Sequence, residues 1–436
     1  MAKLWKKSGI TLHPLVEKYT VGTDYILDAK LMPYDIQATK AHAKGLQQIG
    51  IFRAPEIRKI FSALNRLEKD FRKGRVKITV QDEDCHTVIE NYLTKKIKKL
   101  GLKIHTGRSR NDQVLTALRL YMKDHLKMIR QKTKRLAREF LDFAQQYQNM
   151  PLPGYSHTQQ AMLSSVGHYA CGILESLLDD IDFLDYSAEH INKNPLGSAA
   201  GFGVGLLLDR ELTTREMRFH KIQINSLYCQ NSRGKFESIY LESLSQIMLT
   251  LSRFATDLLL FTSQEFNFFS IKNNLVTGSS IMPQKRNLDA MELLRGFSTV
   301  VMNNEAQIKD LVKGLISGYN RDLQLIKKPL FESTEIVMDS LDIAELHLKG
   351  ITPNEESIMQ KMNKNIFTAD LAINLAKNKK MPFRTAYQKA MQLMKKQKFD
   401  KNSYAIYIKE NLKTKISLGA PGNLDINHYK YRLSKI

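Results

Sequence analysis

Apolar residues recur at helical spacing over long stretches of this chain. From Phe236 to Phe266 they fall at Leu244, Ile247, Met248, Leu251, Ala255, Leu258 and Leu259, the i, i+3, i+4 rhythm of one helix face. The segment Val114 to Tyr147 repeats the habit with Leu118, Tyr121, Met122, Leu126, Ile129, Leu136, Phe140 and Phe143, and Ala161 to Ile191 does so again. Only 11 Pro occur in 436 residues, with none between Pro55 and Pro151 or between Pro195 and Pro283. Proline breaks helix interiors, so these gaps permit very long helices. Alternating strand patterns are scarce. The pattern predicts an all-α protein with long antiparallel core helices. Helices that are apolar on more than one stripe need partners outside their own chain, which predicts a helical-bundle oligomer.

Punctuation divides the chain into three regions. Residues 1–100 carry short helices broken by Pro14, Pro33 and Pro55. Residues 101–352 hold the long helices and their Gly-rich connections, including a loop at 274–290. Residues 353–436 read as short Lys-rich helices, with a break at Met381-Pro382 and a turn at Gly419-Ala420-Pro421-Gly422. No internal repeat is visible.

Composition narrows the class. Hydrophobic residues make up 43% and charged residues 25%, ordinary globular usage that excludes a disordered or low-complexity chain. Three cysteines, Cys85, Cys171 and Cys229, form no CxxC pair, which argues against a disulfide framework or zinc ribbon and for a reducing compartment. The start, Met1-Ala2-Lys3-Leu4-Trp5-Lys6-Lys7, is basic but has no apolar segment behind it. Purely apolar runs such as Leu206-Leu207-Leu208 are too short for a membrane span. The expectation is a soluble, cytoplasmic protein.

The net charge of +22 invites a nucleic-acid reading. The clusters at Lys95, Lys96, Lys98, Lys99 and Lys103, at Arg130, Lys132, Lys134, Arg135 and Arg138, and at Lys395, Lys396 and Lys398 lack interleaved aromatics, however, and no nucleic-acid motif appears. They read as solvated helix faces, or as a field that steers an anionic small molecule.

Four stretches break the helical rhythm with dense polar residues. Thr106-Gly107-Arg108-Ser109-Arg110-Asn111-Asp112-Gln113 precedes a long helix. One residue suffices for a cap, and two arginines at a positive helix end suit a carboxylate or phosphate ligand better than the dipole. Gly154-Tyr155-Ser156-His157-Thr158-Gln159 puts a His beside hydroxyls at a loop-to-helix junction, where capping is an equal reading. Thr277 to Asn287 contains Ser279, Ser280, Lys285, Arg286 and Asn287 on a Gly/Ser loop too long for a tight turn, with Glu292 about two helical turns beyond Lys285. Tyr319-Asn320-Arg321-Asp322-Leu323-Gln324-Leu325-Ile326-Lys327-Lys328 is either a polar helix surface or a fourth piece of a site.

Together these stretches resemble one family. Gly278-Ser279-Ser280-Ile281-Met282-Pro283-Gln284-Lys285-Arg286-Asn287 resembles the signature of the fumarase/aspartase superfamily, and Gly107 to Gln113 narrows the resemblance to the argininosuccinate lyases. Asp82-Glu83-Asp84-Cys85-His86, Pro153 to His157, Asn194-Pro195-Leu196-Gly197-Ser198, Ser263-Gln264-Glu265-Phe266 and Tyr319 to Gln324 follow in that family's order, and Thr368-Ala369-Asp370 and Met381-Pro382-Phe383-Arg384 are similar to its C-terminal domain. The resemblance implies a homotetramer around a central helical bundle, with active sites shared between subunits. The implied reaction is reversible elimination of argininosuccinate to arginine and fumarate, in arginine biosynthesis, with no metal or organic cofactor. The implied catalytic residues are Ser279 as base, His157 held by Glu292 as acid, and Lys285 and Asn287 as charge-stabilising donors. Arg110, Asn111 and Ser156 would hold the succinyl carboxylates, Tyr319, Gln324 and Lys327 the rest, and His86 is a further binding candidate.

Departures from the family pattern fall at Arg286, Leu288, Met162, Leu163 and Ser156, and Ala38-Thr39-Lys40-Ala41-His42 stands where Gly-Ser-x-Ala-His is usual. Thr23 or Asp24 stands near a substrate-touching serine of the family. None removes an expected catalytic group. The competing readings are a sibling lyase for another succinyl adduct and a non-catalytic, crystallin-like homologue.

Overall fold

A computed structural model describes residues 12–436; the basic segment Met1 to Lys7 lies outside the described residues. The chain is dominated by helices, and five are long: Arg110–Gln146, Val166–Ile191, Lys235–Phe261, Asp289–Val312 and Lys327–Leu348. The all-α expectation holds, and among the described residues only short two-stranded pairings stand beside the helices.

The chain divides into two compact units. Of the described residues, the first comprises 12–129, 183–245 and 300–336. It contains the helices Met32–Gln48, Ala54–Arg72 and Cys85–Ile97. Leu115, Leu118, Met122, Leu241, Leu244 and Leu330 are sealed in its core, where the Tyr121 ring meets Phe331 edge-on at 4.7 Å. Arg119 is buried on the same helix as Tyr121. Its guanidinium lies 3.8 Å from the Phe236 ring centre and donates to the carbonyl of Lys193, to Gln223 and to Ser232. A cation is tolerated there because both terminal nitrogens donate and its face is stacked.

The second unit comprises 130–182, 246–299 and 337–436. Phe140 packs edge-on against Phe254 at 5.2 Å, within a core that includes Leu174, Leu178, Met248, Leu251 and Leu258. Short helices from Glu355–Lys361 to Ile426–Lys435 complete it. The 379–382 break separates Thr368–Asn378 from Phe383–Lys396, and Pro382 caps the latter.

Two sequence expectations are corrected here. The helix expected over Ala161 to Ile191 begins only at Val166, because Gln159–Ser165 pairs antiparallel with Pro151–Ser156. Helical spacing in one segment carries no information about pairing with another. The helix expected to run to Phe266 ends at Phe261, and the following turn leads to a strand, Phe269–Ile271, paired with Ile351–Pro353.

The stretch Ser226–Phe261 is long and apolar enough to cross a membrane, but more than half of its apolar 18-residue window is buried within the protein. Most of its apolar residues are core, while Leu249 and Leu260 are exposed. The lysines at 95, 96, 98, 99 and 103 and at 395, 396 and 398 lie exposed, whereas Lys132 and Arg135 pair with Asp342, the latter at 3.0 Å.

Candidate active site

The first unit holds a cavity of about 100 Å³ whose wall includes His86, Arg110, Asn111, Tyr319, Gln324 and Lys327. Six residues singled out from sequence therefore converge, although they are spread from position 86 to position 327. Local rules put them there. Ser109 caps the Arg110–Gln146 helix by accepting from the Asn111 amide at 3.2 Å, while Asp112 reaches back to the Ser109 amide at 2.9 Å, a reciprocal cap. Arg110 and Asn111 thus occupy the first turn of the helix and line the cavity. Arg108 does not line it: it is buried and donates to Thr39 at 2.9 Å. Of the two arginines expected to face an anion, only Arg110 lines the cavity.

The opposite wall comes from the 3-10 turn Arg321–Ile326 and the start of the next helix at Lys327. Gln324 donates to the Tyr319 hydroxyl at 3.0 Å and accepts from Arg233 at 3.2 Å. Lys327 is sealed from solvent, with its ammonium 2.6 Å from Asp28 and 3.4 Å from Asp24. Burial pushes the Asp28 carboxyl up, but Lys327 and His86 outweigh it and hold it below the ordinary carboxylate range. Asp24 goes the other way: burial dominates, with Asp28 adding to it, and its carboxyl is raised despite Lys327. Arg110 pairs with Asp84, and Arg321 pairs with Glu83 at 2.9 Å.

Behind the wall, Asp35 accepts from His86 Nδ1 at 2.7 Å and from Gln113 at 2.9 Å. Burial raises the Asp35 carboxyl, but His86, Arg108 and Gln113 together hold it below its ordinary value, so it is ionised. Asp28, Cys85 and His86 bring their possible ligand atoms within 4.8 Å of one another. They make a poor cation site. Asp28 is committed to Lys327, and burial pushes the Cys85 thiol well up, keeping it protonated.

The remaining candidates belong to the second unit. Ser156 and His157 are exposed at the tip of the 151–165 hairpin. The loop-to-helix junction expected there is a tight turn in which His157 and Thr158 have φ of 51° and 59°, the two-residue left-handed geometry that matches strand twist. Gln160 fixes the hairpin, donating to the Lys361 carbonyl and accepting from the Asn363 amide, both at 2.8 Å.

The 278–286 loop is closed at its base by Thr277 and Asn287, which exchange backbone hydrogen bonds at 3.0 and 2.9 Å. Inside it, Ser279 Oγ accepts from the Met282 and Ile281 amides at 3.2 and 3.4 Å, and Ser280 is exposed. Lys285 is exposed and lies outside the helix that starts at Asp289, so Lys285 and Glu292 are not two turns apart on one helix. Glu292 is exposed in that helix's first turn. Among the described residues no hydrogen bond joins Glu292 to His157 within the chain.

A family model described as Lyase matches residues 11–303. Argininosuccinate lyase of Thermotoga neapolitana is 42% identical over 88% of this chain and 96% of its own length. The chain belongs to the argininosuccinate lyase family. The argininosuccinate lyase of Stenotrophomonas maltophilia is 40% identical, with 89% of each chain covered. Among solved structures, EDDS lyase in complex with formate superposes with a TM-score of 0.80 at 20% identity, covering 98% of this chain and 91% of that one. A class II fumarase from Schistosoma mansoni gives 0.72 at 17% identity, covering 86% and 91%. At those identities the likeness shows a shared fold.

Sequence reading of this argininosuccinate lyase family member missed two buried carboxylates, Asp28 in the cavity wall and Asp35 behind it. Asp24, Asp28 and Asp35 sit among Ile26, Leu27, Leu31, Met32 and Ile36, and carboxylates on an apolar helical face were the available signal. Buried charge requires a partner, and here the partners come from residues 86, 113 and 327.

Proposed function

We propose that this protein is an argininosuccinate lyase, a carbon–nitrogen lyase that reversibly eliminates arginine from argininosuccinate to give fumarate. The observation that carries the reading is the gathering of Arg110, Asn111, Tyr319, Gln324 and Lys327 around one cavity in a chain of this family. Those side chains offer donors to carboxylates and to a polar amino-acid end.

The chemistry assigns the other roles. Elimination takes a proton from the carbon beside one succinyl carboxylate and breaks the C–N bond at the neighbouring carbon. Charge builds on that carboxylate, and each fixed donor aimed at it is worth about 2.7–4 kcal/mol. Lys285 and Asn287 supply such donors. Ser279 is the base. The amides of Ile281 and Met282 converge on its Oγ, and hydrogen bonds to an oxygen favour its anionic form. A guanidine leaving group needs a proton because its conjugate acid has a pKa of about 13.8. His157 supplies it, held by Glu292 from a neighbouring chain. Arg110, Asn111 and Ser156 hold the succinyl carboxylates.

The working form is a homotetramer with sites shared between subunits. Exposed Leu249, Leu260, Leu293 and Phe297 on the long helices support this, because apolar side chains on otherwise well-packed helices call for a partner. The region 101–352 provides the bundle, with 1–100 and 353–436 flanking it, and the enzyme works in the cytoplasm. The test is fumarate release, followed by ultraviolet absorbance, from argininosuccinate, adenylosuccinate and aspartate. Release from argininosuccinate supports the reading. Release from only one of the others makes the protein a sibling lyase.

A further inference from the structure

The junction between the helices Ser226–Asn231 and Lys235–Phe261 grips the loop that carries Tyr319 and Gln324. Asn231 donates to Ser317 Oγ at 3.2 Å and accepts from the Gly318 amide at 2.8 Å. Gly234 has a φ of 87°, and a Cβ there would collide with Val312 and lie 3.3 Å from Ile326, so the junction comes this close only as glycine. Between them stands Arg233, 1% exposed. Its guanidinium lies 5.7 Å from the Tyr319 ring centre, and its Nη2 donates to Gln324 Oε1 at 3.2 Å. Nε and Nη1 are buried and have no partner among the described residues. A sealed cation with unmet donors weakens a fold, so the reason for it lies in the residue it does bond.

That residue belongs to the cavity wall. Gln324 and Tyr319 line the first unit's cavity, and Arg233 does not. Arginine has donors and no acceptor, so the Gln324 amide turns its oxygen to Arg233 and its NH2 away from it. One amide hydrogen then goes to the Tyr319 hydroxyl oxygen at 3.0 Å. A hydroxyl that accepts in this way keeps its own hydrogen to give. The pair is left with donors, one O–H and one N–H, and Arg233 imposes that polarity. Without it the amide can reverse, take the Tyr319 hydrogen on its oxygen and leave the hydroxyl as an acceptor. Donors in the same wall as the Lys327 ammonium suit a carboxylate.

We propose that Arg233 is a positioning residue: it fixes the direction of the Tyr319–Gln324 hydrogen bond, so that the pair presents donors to the α-carboxylate at the arginine end of the substrate. The inference rests on the lyase reading above, in which Arg110, Asn111 and Ser156 take the two succinyl carboxylates and leave the third for this pair.

The test follows fumarate release from argininosuccinate and its inhibition by arginine, by agmatine (no α-carboxylate) and by succinate (the carboxylates of the other end). Wild type binds arginine better than agmatine. Arg233→Met raises KM about tenfold with kcat within about twofold, weakens arginine by the same factor, and leaves agmatine and succinate unchanged. In a Gln324→Met background, adding Arg233→Met changes neither KM nor arginine inhibition further, a coupling that a loosened fold would not reproduce. If Arg233→Met does not fold, Arg233→Lys and Arg233→Gln decide. The lysine offers Gln324 only donors and keeps the preference for arginine, whereas the glutamine can offer either end and loses it. Equal weakening of arginine and agmatine overturns the proposal. So do a loss confined to succinate, equal preferences in the lysine and glutamine variants, and independent effects of Arg233 and Gln324. A wild-type protein that releases no fumarate from argininosuccinate overturns the lyase reading and this inference with it. One that does, with arginine inhibition unmoved by Arg233→Met, overturns this inference alone.

Discussion

Lys327 Nζ lies 2.6 Å from Asp28 Oδ1, and neither side chain reaches solvent. With Asp24 at 3.4 Å, one ammonium serves two buried carboxylates that the chain supplies about 300 residues away. Removing the cation leaves uncompensated charge. Lys327→Met should therefore lower unfolding free energy by about 3–5 kcal/mol in urea titrations. Adding Asp28→Asn to that variant should recover part of the loss. A double variant no more stable than the single would mean that the pair is not what Lys327 stabilises.

Asp180 gives a pH signature in the second unit. It accepts from Thr250 at 2.7 Å, and burial pushes its carboxyl up to about 7. The unfolded value is about 3.9. Below that value the carboxyl is protonated in both states, and its favourable contribution to folding is fully present. As pH rises toward 7, the unfolded chain ionises while the folded protein keeps its proton. The contribution is then lost at about 1.4 kcal/mol for each pH step between the two values. Asp180→Asn keeps an acceptor for Thr250 and does not ionise. Its melting temperature relative to wild type should rise between pH 5 and pH 8. A gap that is constant across that range would place the Asp180 carboxyl near its ordinary value.

The long helices were legible because a 3.6-residue rhythm and the absence of proline are local facts. Arg110, Asn111, Tyr319, Gln324 and Lys327 were legible because polar density without a helical reason marks a site. The 151–165 hairpin was not, since Pro151 and Pro153 look like breaks until Ser165 and Leu163 are seen opposite them. Arg108 and Arg110 were indistinguishable in sequence. The cap at Ser109 fixes where the helix starts, and that start turns one guanidinium onto the cavity and the other onto Thr39. Asp28 and Asp35 remained hidden because their partners are distant in the chain.

Ser279 and Ser280 make a sharper test of the chemistry. Composition does not separate two neighbouring hydroxyls, but only Ser279 Oγ receives the amides of Ile281 and Met282, while Ser280 is exposed to solvent. Ser279→Ala should lower kcat by orders of magnitude with argininosuccinate still bound, because the lost interaction belongs mainly to the transition state. Ser280→Ala should cost far less. Near-normal turnover in Ser279→Ala would move the base elsewhere, with His157 the first candidate.

Shared sites make a prediction about mixtures. His157 and Ser279 stand on a hairpin tip and on a separate loop, and both segments are held by their own contacts, Gln160 with Asn363 in one and Thr277 with Asn287 in the other. Each can therefore be offered to a neighbouring chain without refolding. In a tetramer whose sites draw these residues from different chains, Ser279→Ala and His157→Asn subunits would each be inactive alone. After subunit exchange, some sites would receive the intact residue from both sources, and activity should reappear as a definite fraction of wild type. Exchange is verified by native mass spectrometry, and fumarate release is measured on the same sample. Mixed tetramers without activity would require both residues to come from one chain, and then the hairpin and the loop would have to meet within it.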